Sequence, residues 1–187
     1  MDTLTLLREL SEHAEWADSI VFSAITGKTE AEGDEILLKR LRHLHLVQKV
    51  FLDVWRGMPI NPEETASSGF PELMAYARSN HCENRDYLLS LQPEYLDTPT
   101  SLPWAELVSG SLGFQVADPT LGQTIMQVYA HSVYHRGQVN ARLRELGVEP
   151  PMTDYIAWLW AYKPSPRWPG NAAGADAQGS SKEAAGR

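Results

Sequence analysis

Four long stretches of this chain are patterned as helices, and glycine or proline stops each of them. No comparable stretch alternates in the two-residue rhythm of a strand, so the punctuation confines the chain to helix-on-helix packing. The first stretch, Leu4 to about Thr26, spaces Leu7, Leu10, Ala14, Ala17, Val21 and Ile25 by three and four, and Gly27 ends it. The second runs from Asp34, in the N-cap position, through Trp55 to a stop at Gly57 and Pro59. The third starts at Pro71 and continues to about Leu91, before Pro93. The fourth, Leu121 to Leu146, closes with Arg142 and Arg144 near its last turn, Gly147 after it and Pro150-Pro151 beyond. The expected fold is all-α: a four-helix bundle with a long irregular crossover, Gln92 to Thr120, before the last long helix, and a short C-terminal helix opened by Thr153 or Asp154. Lys28 to Gly33 reads as a polar turn, and Leu112 to Val116 is the best candidate for a strand in a small hairpin. Residues 1–163 form the expected domain. After Pro164 the composition turns to Gly, Ala, Ser and Pro, which predicts a disordered tail over 164–187.

Composition enters by exclusion. A formal net charge of −8 argues against nucleic acid and anionic membranes as partners, since both attract a basic face. One cysteine, Cys82, leaves no internal disulfide framework and suits a reducing compartment. The first residues lack a basic segment followed by an apolar one, and no run has the apolar length of a membrane span. The expected setting is the cytoplasm. There is no HExxH, no ExxH pair of the di-iron kind, no phosphate-binding glycine loop and no G-x-S-x-G elbow.

The chemistry concentrates in the fourth helix. His131 and His135 are four residues apart and project from nearly the same face, one turn apart, so two imidazoles can converge on one cation. The competing reading is a pair of hydrogen-bonded core histidines. Gln138 follows on the same face, and Gly137 removes a side chain where a neighbouring helix or ligand could approach. A third ligand must come from elsewhere. On the second helix, Lys39, Arg42, Lys49, Asp53 and Arg56 lie on one side, and Leu41, Leu44, Gln48, Phe51, Leu52 and Trp55 on the other. His45 falls at the edge of the apolar side and His43 on the polar side, so His45 is the expected third ligand and His43 the reserve. Three imidazoles without a carboxylate suit Zn²⁺ or Ni²⁺, and three protein ligands leave a position open for water or substrate. Gln48 and Gln138 are either outer partners of the ligating rings or ordinary interior amides. Cys82 reads as a packed thiol, His81 as facing either way, and His13 as exposed.

Three segments carry a resemblance: HAEWADSIVFSAI in the first helix, LRHLHLVQKVFLDVWRG in the second, and HSVYHRGQVNARLRELGVEPPMTDYIAWL from the fourth into the terminal helix. Over roughly residues 1–163 the chain resembles the DinB/YfiT-like superfamily of metal-dependent four-helix bundles. The resemblance implies that one histidine of the second helix joins His131 and His135 around Zn or Ni, with the His43/His45 doublet leaving open which. It also implies a homodimer acting on a small-molecule substrate. Characterised relatives include S-transferases using bacillithiol and isomerases using mycothiol, so the expected activity is transfer of a low-molecular-weight thiol to a small electrophile. A metal-dependent hydrolase and a non-enzymatic stress-response module with a structural metal are the alternatives.

Overall fold

The computed structural model describes residues 1–65 and 68–170. Its helices are α1 (Thr3–Ile25), α2 (Thr29–Glu32), α3 (Glu35–Arg56), α4 (Phe70–Ser90), α5 (Ala105–Leu112), α6 (Leu121–Glu145) and α7 (Tyr155–Trp160), with a 3₁₀ turn at Pro93–Asp97. The ends follow local chemistry. Asp34 caps α3 by accepting from the Leu37 N–H at 2.8 Å, and Gly57 ends it with φ 64°, a conformation that a Cβ would strain. Thr120 and Gln123 form a reciprocal capping box at the start of α6.

The four long helices make a bundle in which α3 packs on α6 and α4, and α1 packs on α4 and α6. Two apolar clusters fill it. Toward one end, Val21, Phe22 and Ile25 of α1 meet Leu37, Leu38 and Leu41 of α3, Phe70, Leu73 and Ala77 of α4, and Val139 and Leu143 of α6. Toward the other, Leu4, Leu7 and Ala14 meet Leu88, Leu91, Leu96, Leu121, Ile125 and Tyr129. The order of these residues along each helix makes α1 and α6 run one way and α3 and α4 the other. The end of α3 and the start of α4 therefore lie at opposite ends of the bundle, whereas the stretch from Leu91 to Thr120 starts and ends at the same end. Between the two clusters lies a buried polar layer: Asp18, His45, Gln48, Asn80, His81, Ser132 and Arg136.

The structure departs from the expected elements in three places. Lys28 to Gly33 contains a helical turn, α2, whose Ala31 is fully buried. Leu112 to Val116 is not a strand. Gly113 takes a left-handed conformation, and the Ser109 hydroxyl donates to the Phe114 carbonyl at 2.6 Å while accepting from the Val116 N–H. The turn thus satisfies itself locally instead of pairing. Among the described residues the only sheet-like contact is an isolated bridge between Pro99 and Thr120. Lastly, residues 164–170 belong to the folded body. Trp168 sits in the first cluster and its indole N–H donates to Glu15 at 3.4 Å, the Arg167 N–H donates to Ser19, and the Pro164 carbonyl accepts from Trp158. The remainder of the expected tail, 171–187, lies outside the described residues. No helix among them is long and apolar enough to cross a membrane.

Candidate metal centre

The seam between α3 and α6 sets the site. These helices run antiparallel, and Asp34 at the start of α3 receives the Arg142 guanidinium from the last turn of α6, Nη2 to Oδ2 at 2.7 Å and Nε to Oδ1 at 3.0 Å. That clamp fixes their register. Further along the seam, His131 and His135 project from α6 toward α3, as the spacing of four requires. The histidine they meet is His43. His131 Nε2 lies 3.3 Å from His43 Nε2, the His43 and His135 ring centroids are 4.5 Å apart, and those of His131 and His135 are 4.2 Å apart. One donor atom from each of the three falls within 4.8 Å of the others.

His45, the expected third ligand, is elsewhere. It is fully buried and stands with Asp18 and His81 in the polar layer. Two residues on a helix are about 200° apart, so only one of His43 and His45 can face the seam. The expectation rested on the apolar edge of α3, which points into the bundle. The α6 pair instead flanks the core at its solvent side: His131 and His135 are half-buried and His43 is exposed. The polar edge of α3 is the edge that reaches them.

The geometry of the triad is compatible with cation binding. His135 Nδ1 donates to Gln138 Oε1 at 3.1 Å, so its Nε2 presents a lone pair, and Gln138 is the outer partner that ligating imidazoles usually have. Burial, reinforced by the neighbouring imidazoles, lowers His131 to about 4. Burial and then His135 also lower His43. Both rings are therefore neutral at pH 7 and need release no proton to bind a metal. Three imidazoles crowded with donor atoms facing each other are costly unless something shares their lone pairs. A borderline divalent cation fits that donor set.

The sequence model of the DinB family matches residues 3–167. The chain belongs to the DinB family. A comparison with curated proteins gave no match. In this DinB-family chain the match extends beyond residue 163 and takes in most of the segment that carries Trp168 into the core.

Other expected features land differently. Gln48 partners not the triad but His45, accepting from its Nδ1 at 2.9 Å. His13, expected to be exposed, is buried, with Nε2 3.0 Å from the Thr153 carbonyl, because the segment before α7 folds over α1. His81 faces inward, 2.8 Å from Asp18 Oδ2. Cys82 is half-buried beside Arg85, whose guanidinium lies 3.5 Å from its sulfur. Gly137 has nothing within 4 Å of where a Cβ would stand, so no neighbour in this chain exploits it. The stretch between α4 and α6 bounds an open cavity of about 780 Å³, lined by residues including Leu102, Glu106 and Phe114 but by none of the triad. Sequence reasoning overlooked Asp18 and Arg136. The available signal was a carboxylate at 18 among the apolar positions 14, 17 and 21 of α1, which needs a buried cation to offset it.

Proposed function

We propose that His43, His131 and His135 hold a divalent cation, Zn²⁺ or Ni²⁺, at an open site where a low-molecular-weight thiol is transferred to a small electrophile. The observation that carries this reading is the convergence of three imidazoles from α3 and α6, with donor atoms mutually within 4.8 Å. Membership of the DinB family supports it. The chain's own residues position and tune the site. Gln138 holds the His135 ring through Nδ1, and Tyr134, exposed and edge-on to His135 at 5.0 Å between centroids, forms an aromatic wall at the mouth. A divalent cation bound there supplies Lewis acidity and favours the thiolate form of an approaching thiol. In the overall transfer the sulfur bonds to the electrophile, the leaving group departs with its electron pair, and the thiol proton passes to solvent.

The exposed position of His43 favours a substrate-accessible site over a closed structural one. The proposed setting is the cytoplasm, and the proposed assembly is a homodimer, which sedimentation velocity would test. Elemental analysis of untagged protein should find bound metal in the intact chain and its loss in His131→Ala. Metal-loaded protein should then consume model electrophiles only with a thiol present. Turnover without thiol would indicate a hydrolase, and no turnover with any common cellular thiol would indicate a binding module.

A further inference from the structure

The polar layer between the two apolar clusters contains a second convergence of ligand-type side chains. Asp18 of α1, His45 of α3 and His81 of α4 are each at most 4% exposed, and one donor atom from each falls within 4.8 Å of the others. The surrounding hydrogen bonds determine how they present themselves. Ser132 gives its hydroxyl hydrogen to the Val128 carbonyl at 2.7 Å, so it accepts from the Gln48 amide N–H at 3.1 Å. The same amide nitrogen reaches toward Asp18 Oδ2 at 3.4 Å. Gln48 Oε1 is thereby turned to His45 and accepts from Nδ1. The hydrogen of His45 is on Nδ1, and its Nε2 lone pair, wholly buried, has no hydrogen-bond partner. Asp18 is held at the other side: Arg136 Nε donates to Oδ1 at 2.9 Å, leaving Oδ2 directed at His81 Nε2. Asn84, three residues along α4 from His81, also has a buried Oδ1 without a partner.

We infer that Asp18, His45 and His81 form a second divalent-metal site, buried in the bundle and distinct from the His43 triad, that takes a zinc-class cation. Two imidazoles and a carboxylate are a common donor set for such ions. His45 has the outer partner on Nδ1 that a ligating ring requires, and the carboxylate is oriented by a hydrogen bond to its second oxygen. Coordination would give the orphaned Nε2 of His45 the partner it lacks, and would replace the hydrogen that His81 Nε2 donates to Asp18 Oδ2, which passes to the other ring nitrogen or to solvent. Arg136 already claims part of the carboxylate's charge, so this site fills after the triad. Its donors are closed to solvent, so loading and release require the bundle to open.

The test is refolding of the full chain from denaturant with excess Zn²⁺, followed by desalting and elemental analysis. Intact protein should retain two equivalents, and His43→Ala and His81→Gln one each. Retention of a single equivalent that His43→Ala abolishes would overturn the inference, as would two equivalents in His81→Gln. A single equivalent lost in His81→Gln but kept in His131→Ala would instead remove the surface triad and leave the buried site standing. Because His81→Gln disturbs a buried pair, release from unsubstituted protein gives an independent readout. With excess chelator, one equivalent should leave quickly and the second no faster than the chain unfolds. Release of all metal in one fast phase would exclude the buried site.

Discussion

Gln138 illustrates how one side chain decides whether an imidazole is useful. Without an acceptor on Nδ1, the His135 ring is free to turn and to carry its hydrogen on the atom that should face the cation. Gln138→Leu should weaken cation affinity about 10- to 100-fold, the usual effect of losing an outer partner, while leaving the far-UV circular dichroism unchanged. Titration calorimetry with Zn²⁺ reads this directly, and equal affinities would refute the role. Asp18 acts at the same scale in the polar layer. Burial alone would raise its carboxyl, but Arg136 and the hydrogen bond to His81 outweigh that and hold it well below the ordinary carboxylate range. Asp18→Ala leaves the buried Arg136 charge uncompensated, and the expected cost is about 3–5 kcal/mol in urea unfolding. A cost below about 1 kcal/mol would show that water reaches Arg136.

At the scale of elements, α6 carries two registers at once. His131 and His135 face the seam with α3, while Ser132 and Arg136, one residue later and about 100° further round, enter the polar layer. Any slip of α6 against α3 would therefore spoil the triad and the layer together. Asp34 opposes such slip twice, as the N-cap of α3 and as the acceptor for Arg142. Replacing a cap aspartate costs about 1 kcal/mol. Asp34→Ala should lower stability by about that amount or slightly more, and weaken zinc binding though it touches no ligand. Unchanged affinity alongside the stability loss would show that the seam holds its register without the clamp.

Two expectations belong to the whole molecule. Burial lowers His45 to about 4 and also lowers His13, and burial with the neighbouring imidazoles lowers His131 to about 4. In metal-free protein the unfolded chain therefore binds protons between about pH 6.5 and 4 that the folded chain refuses. These groups cost nothing above that window, and stability falls as the pH drops through it. A tenfold change in proton affinity is worth about 1.4 kcal/mol, so the loss is on the order of a few kcal/mol and comes mainly from the buried His45, because solvent screens the part-exposed His131. Urea midpoints measured in chelator at about pH 7 and about pH 4.5, above and within this window, should differ accordingly; equal midpoints would contradict the burial of these rings. The second expectation concerns the segment after α7. Ending the chain after Lys163 removes Trp168 from the core, and truncating a core tryptophan costs about 3–5 kcal/mol. A melting temperature equal to that of the full chain would show that Trp168 does not contribute to the folded body.

Much of this was legible in residue order. Spacings of three and four, caps at Asp34 and Thr120, and stops at Gly27, Gly57 and Gly147 are local effects, so α1, α3, α4 and α6 emerge within a few residues of their observed ends. The i, i+4 pairing of His131 with His135 is a property of one helix and needs no neighbour. The third histidine is different in kind. His43 and His45 both suit a ligand chemically, and choosing between them requires knowing which side of α3 meets α6, which no local pattern states. Trp168 was hidden for a related reason: a single aromatic in a segment rich in proline and glycine has no periodicity, and only the surface waiting at Phe22 and Glu15 makes it core. Local backbone preference determined the helices and one pair of converging histidines. Packing between helices, acting over contacts distant in sequence, decided which histidine completes the triad and which polar groups the bundle had to bury.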